Sequence, residues 1–131
     1  GLLASRVSAR PLVRHHLTGL QQRIGEAGAV VAEGRDTGTV VFPRAAWKFY
    51  LDASAEVRAH RRAAQLRSKG EQVDEEQLLA EIVQRDRDDR ERTIAPLTVA
   101  ADAVRIDSTD LPAEDVVDLM VAHIRDIPCA C

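Results

Sequence analysis

Residues 29–43 read AVVAEGRDTGTVVFP, from Ala29 to Pro43. The apolar run Ala29-Val30-Val31-Ala32 predicts a buried strand that ends at Glu33. Gly34 then opens a turn in which Arg35 and Asp36 stand side by side before Gly38. A second short apolar run, Val40-Val41-Phe42, closes at Pro43. Ligands of open parallel sheets bind beyond the carboxyl ends of the strands. A charged pair in a glycine-flanked turn at that edge is therefore a candidate site. The competing reading is a surface turn carrying an ordinary Arg-Asp pair.

Working outward, Pro11 suits the first turn of a helix. Val13, Leu17, Leu20 and Ile24 recur behind it at helical spacing, with Arg14 in the first turn and Gly25 or Gly28 as the stop. Downstream, Trp47-Lys48-Phe49-Tyr50-Leu51 predicts a strand stopping at Asp52. Ser54 is a good N-cap for a helix running to Lys69 and ending at Gly70. Asp74 with Gln77 forms a capping-box pattern for a further helix, broken by Pro96. Ala103 to Asp107 is a third short strand, and Pro112 starts a last helix with Val116, Val117, Met120, Val121 and Ile124 on one face. Strand alternating with helix predicts an α/β fold with a parallel sheet, in one domain over residues 1–131.

Composition narrows the function. Of 131 residues 45% are hydrophobic and 30% charged, the balance of a globular chain. Aromatic residues at 3% leave few platforms for stacking nucleic-acid bases, and a net charge of −3 gives no general attraction to a phosphate backbone. Nucleic acid and membrane are not expected partners, since no apolar run approaches the roughly 20 residues that span a bilayer. Cys129 and Cys131 form no disulfide framework, and no secretory signal is visible, so the chain reads as cytoplasmic. No metal site is expected from the Cys-x-Cys tail, and His15, His16, His60 and His123 have no partners at catalytic spacing.

Two charged patterns remain. Residues seven apart on a helix lie nearly on one face. Arg85 and Arg92 therefore continue the stripe of Leu78, and Asp89 continues that of Ile82. A core-facing stripe that turns to Arg, Asp, Arg should face a cleft holding an anion or polyol, because burying bare charges is costly. The alternative is a solvated helix with exposed ion pairs such as Arg85 with Asp89. Arg58, Arg61 and Arg62 share a face of the preceding helix and could form a fork for phosphate oxygens, or be solvated. Together these arginines suit a nucleotide, whose phosphoryl transfer needs chiefly positioning and charge neutralisation.

The stretches EGRDTGTVVFP, FYLDASAEVRAHRR, QLLAEIVQRDRDDRERTIAPL and ADAVRIDSTDL, read together, resemble the C-terminal part of bacterial cytidylate kinases over Ala4 to about Ile124. The resemblance implies a P-loop nucleoside-monophosphate kinase fold, a parallel sheet with flanking helices. It also implies transfer of the ATP γ-phosphate to CMP or dCMP, with Mg2+ accompanying ATP. By the same resemblance Ser5, Arg14 and Asp36 fall where the cytosine is read. Arg35 and Arg92 fall where the CMP phosphate is held, with Arg85 close by, and Asp89 where a ribose hydroxyl is taken. Arg85 and Arg92 are the expected catalytic side chains, and Arg58, Arg61 and Arg62 fall on the ATP or lid side. Cytosine fits the first group, since its amino donor suits a carboxylate and its ring acceptors suit Arg or Ser.

One departure from that family is large. Its phosphate cradle, GxxxxGK[ST], occurs nowhere in these residues. The expectation is a fragment that lacks the first, P-loop strand and is inactive by itself. A missing N-terminal segment or a second chain would complete the sheet. The competing readings are an inactive nucleotide-binding or interaction module, and a kinase for UMP or dTMP.

Overall fold

A computed structural model describes Val7 and residues 10–126. The chain forms two compact units, one of Gly1–Ala45 with Asp89–Ala101, the other of Ala46–Asp88 with Asp102–Cys131.

In the first unit, helix α1 (Pro11–Glu26) begins with proline in its first turn and ends at Ala27. The apolar positions Leu17, Leu20 and Ile24 are 41%, 41% and 56% exposed, so the stripe they form is not the face buried within this unit. The packed face carries polar and small residues instead, Arg14, Gln22 and Gly25. Gln22 Nε2 donates to the carbonyls of Val40 and Val41 at 3.5 and 3.3 Å. A side chain at Gly25 would overlap the Phe42 ring, which lies directly on the helix there.

The strand expected over 29–33 is not formed. Gly28 and Ala29 take positive φ angles of 77° and 52°, a left-handed bend that extended pairing cannot use, and Val31 is fully exposed. Among the described residues no strand pairs with this run, and an apolar run becomes a strand only where a neighbour takes its backbone groups. The residues after it wind into a π-helical turn, Thr37–Val41. Val41 N donates to Asp36 O at 3.2 Å and Phe42 N to Thr37 O at 2.7 Å, both spanning five residues. Val41 is buried beneath the turn at 3% exposure.

In the second unit, β1 (Phe49–Asp52) and β2 (Val104–Asp107) pair in parallel, Phe49 opposite Val104 and Asp52 opposite Asp107. The ladder continues at both ends, Val104 N to Lys48 O and Ser108 N to Asp52 O, each 2.8 Å. Helix α2 (Ala55–Arg67) is capped by Ser54, whose side chain accepts from Val57 N at 3.2 Å. Its buried face is Ala59 and Ala63, four residues apart, small enough to let the helix approach its neighbours closely. Helix α4 (Ala113–Asp126) buries Val116, half-buries Met120 and Val121, and sets His123 edge-on to Phe49 at 5.7 Å. Val117 and Ile124, expected on the same face, are 54% and 38% exposed. A hollow of about 380 Å³ remains along β2, lined in part by Ile106, Leu119 and His123.

Helix α3 (Glu75–Glu91) starts at Asp74, whose Oδ1 accepts from Glu76 N and Gln77 N at 3.0 and 3.1 Å. Only half of the expected capping box is made, because the Gln77 side chain turns to Glu81 at 3.2 Å. The helix stops before Pro96. Leu97 N returns to Asp89 O at 2.7 Å through a bend in which Ala95 has a φ of 49°.

Candidate functional site

The first unit brings together five of the expected side chains from three places. Arg14 comes from the first turns of α1, Arg35 and Asp36 from the residues leading into the π-turn, and Asp89 and Arg92 from the end of α3. Arg14 Nη1 donates to Asp36 Oδ2 at 2.6 Å. Arg92 Nη1 donates to Asp89 Oδ1 at 3.2 Å, and Arg35 Nε stands 3.2 Å from Asp89 Oδ2. Arg92 Nη2 is 3.7 Å from Asp36 Oδ2, an ion pair beyond hydrogen-bond reach. The order Arg14, Asp36, Arg92, Asp89, Arg35 is thus an unbroken alternation of charge.

The local folds explain the alternation. The five-residue hydrogen bonds of the π-turn hold the carbonyl of Asp36, and Thr39 Oγ1 adds a further bond to it at 3.4 Å. Arg92 follows the last helical residue, and its Nε donates to Ala95 O in the bend, which fixes the guanidinium plane. The side chains of Arg14, Asp36 and Arg92 are 15%, 15% and 18% exposed, and that of Asp89 is 9% exposed. Burial, and next the neighbouring Arg14, push Arg92 down from the usual range of an arginine, while Asp36 and Asp89 pull it back. Arg92 Nη2 is itself buried and makes no hydrogen bond among the described residues. A cavity of about 340 Å³ opens beside it, lined by Pro11, Arg14, Arg92, Thr93 and Ile94. Three guanidinium groups against two carboxylates, with a buried donor unmet, is an arrangement that can hold an anion bearing further hydrogen-bonding groups.

Ser5 is outside the described residues. Arg85, expected on the inward stripe, is exposed, and the buried side chain on that turn is the next residue, Asp86, at 7% exposure. Arg58, Arg61 and Arg62 do not form one fork. Arg58 pairs with Asp86 at 2.6 Å and donates from Nε to Ala53 O at 3.0 Å. Arg61 donates to the Ser108 side chain at 3.1 Å, to the Ser108 carbonyl and to Leu111 O at 3.0 Å. Arg62 is held by Gln65 one turn on. The geometric reason is that α2 packs by its alanine face, so the three guanidinium groups flank the contact and take different acceptors.

Asp86 is the buried charge that the sequence reading passed over. It lies seven residues after Leu79, the same interval that picked out Asp89 and Arg92, so the signal was present. Among the described residues no three His, Cys, Asp or Glu side chains come together as a metal cage, so no residue is assigned to a cation. None of the helices among the described residues is long and apolar enough to cross a membrane.

Fold and side chains together describe an α/β protein with an arginine-lined cavity. The family described as Cytidylate kinase matches residues 1–126. Proteins named cytidylate kinase are similar to this chain, at 51% identity over 126 residues in Geobacter sp. (strain M21) and 52% over 125 residues in Edwardsiella ictaluri (strain 93-146). These alignments cover 96% and 95% of this chain but 54% and 56% of those proteins. A third, from Nitratidesulfovibrio vulgaris (strain DP4), is 50% identical over 95% of this chain and 54% of its own length. The chain belongs to the cytidylate kinase family and spans about half the length of the curated relatives it matches. Its helices and parallel strand pair fit part of a nucleoside-monophosphate kinase fold, without a P-loop motif.

Proposed function

We propose that this chain carries the nucleoside-monophosphate site of an enzyme that transfers the γ-phosphate of ATP to CMP or dCMP. The observation that carries the reading is the alternating chain Arg14, Asp36, Arg92, Asp89, Arg35 beside a cavity of about 340 Å³. Asp36 accepts from the cytosine amino group while Arg14, with Ser5, serves the ring acceptors. Arg35 and Arg92 take the phosphate oxygens, and Asp89 takes a ribose hydroxyl. Arg92, and Arg85 from the exposed side of α3, offset the charge of the transferring phosphoryl group. When bound, Mg2+ would travel with ATP and neutralise its phosphates, and no residue described here is assigned to it.

With no GxxxxGK[ST] among these 131 residues, the chain by itself binds CMP and transfers no phosphate. On this reading the ATP cradle comes from outside these 131 residues, and Arg58, Arg61 and Arg62 are assigned to the ATP or lid side by the family resemblance alone. The absent motif equally favours a second reading, a nucleotide-binding module without catalysis. Calorimetry with CMP, UMP and ATP, beside a coupled assay with ATP, magnesium and CMP, tests the proposal. CMP binding without turnover is expected. Turnover near that of a full-length relative, or UMP binding as tight as CMP, would overturn it. Turnover on adding the missing part separates an enzyme from an inactive module.

A further inference from the structure

Arg92 faces two carboxylates at once. Its Nη1 is committed to Asp89 at 3.2 Å, whereas Nη2 stands 3.7 Å from Asp36, too far to hydrogen-bond it and close enough to offset its charge. That Nη2 is buried with no hydrogen-bond acceptor among the described residues, so a phosphate oxygen entering the neighbouring cavity would be its first. Asp36 meanwhile holds Arg14 at 2.6 Å through the same oxygen, Oδ2, that faces Arg92. This carboxylate therefore lies against two guanidinium groups, which makes it a poorer acceptor for a neutral amino donor.

We propose that Arg92 couples the two ends of the ligand, so that occupation of the phosphate position strengthens reading of the base by Asp36. This rests on the assignment of Asp36 to the base and Arg92 to the phosphate made above. An arriving phosphate dianion competes with Asp36 for Nη2 and draws the charge of Arg92 toward itself. Asp36 is then left with Arg14 alone and becomes the stronger acceptor. The site consequently rejects a nucleoside by more than the lost phosphate contacts, because without phosphate its base reader stays partly neutralised. Thermodynamic reciprocity demands that the base raise affinity for phosphate by the same factor.

The test is calorimetry on the 131-residue chain, titrating cytidine with and without saturating inorganic phosphate, and phosphate with and without cytidine. Cytidine is expected to bind roughly five-fold tighter or more with phosphate present, and phosphate tighter by the same factor with cytidine present. In Arg92→Gln, phosphate should no longer alter the cytidine affinity. Equal cytidine affinity in both conditions, or coupling that survives in Arg92→Gln, overturns the proposal. The wild-type titrations decide it even if that variant does not fold. CMP binding without coupling removes this inference alone, whereas failure of CMP to bind removes the site assignment with it.

Discussion

At the scale of single residues, the arginines of this chain divide by what they touch rather than by how they are spaced. Arg61 and Arg62 are neighbours on α2, yet Arg61 spans three acceptors on Ser108 and Leu111 while Arg62 reaches only along its own helix to Gln65. Arg61→Ala should therefore lower stability by about 1–3 kcal/mol, because it strips charge-assisted bonds from backbone carbonyls. Arg62→Ala should stay within about 0.5 kcal/mol of the parent. Urea unfolding of the two variants checks the pair, and equal effects would count against the assignment. Asp36→Asn should weaken CMP binding by about 1.5–3 kcal/mol, roughly ten- to a hundred-fold, and UMP binding far less, as read by calorimetry. The amide can no longer act as a charged acceptor for the cytosine amino group, and it leaves Arg14 without the carboxylate it holds at 2.6 Å.

At the scale of elements, what pattern could reveal was bounded by what each element packs on. The Ser54 cap and the two strands follow from local chemistry, whereas element ends shift by a few residues, the strands starting at Phe49 and Val104 rather than Trp47 and Ala103, α2 ending at Arg67 and α3 at Glu91. The run Ala29 to Ala32 has the composition of a strand, but strand formation depends on a partner that local sequence does not encode. On α1 the apolar spacing pointed to one face, and the unit packs by another, through Gly25 and Gln22. Gly25 offers a test by sign. Alanine inside an exposed helix is worth about 1 kcal/mol of stabilisation over glycine. Here a Cβ would overlap the Phe42 ring, so Gly25→Ala should destabilise by about 1–3 kcal/mol instead. A raised unfolding midpoint would refute the contact. Among the side chains gathered around Arg92, Asp89 and Arg92 itself were legible from seven-residue spacing, and Arg35 and Asp36 from their glycine-flanked turn. The acceptors that Arg58, Arg61 and Arg62 take were not, because spacing fixes a face and leaves the acceptors open.

At the scale of the whole molecule, the two units lend themselves to different tests. In the second, Lys48 and Thr109 hold Asp102 and Asp107 below the usual carboxylate range, chiefly through side-chain hydrogen bonds, and His60 and then Arg67 do the same for Glu75. Carboxylates whose folded values are lowered contribute stability above their unfolded values, and that contribution is lost as pH falls through the lowered ones. All three are solvent-exposed, so each contributes little. The Lys48 side chain, however, is 7% exposed, and its ion pair with Asp102 weakens when Asp102 takes a proton. Denaturant midpoints should therefore fall as pH drops below about 4. Asp102→Asn should flatten that dependence. In the first unit, where Arg14 and Arg92 line one cavity, CMP should slow amide exchange over 11–26 and 35–42 and leave β1 and β2 unchanged. Hydrogen exchange with and without CMP reads this directly.

The π-turn at Thr37–Val41 makes the length of this segment as consequential as its chemistry. A five-residue hydrogen bond accommodates one residue more than a regular helical turn. Deleting Gly38 would let the turn close as an ordinary α-helical one, and each residue of such a turn advances about 100°. Asp36 would then rotate away from Arg14 and Arg92 with every side chain of the site still present. Conservative substitutions along Thr37 to Val41 should be tolerated far better than the loss or gain of any one position, so that insertions and deletions, rather than point changes, mark the limit of what this corner of the protein can absorb.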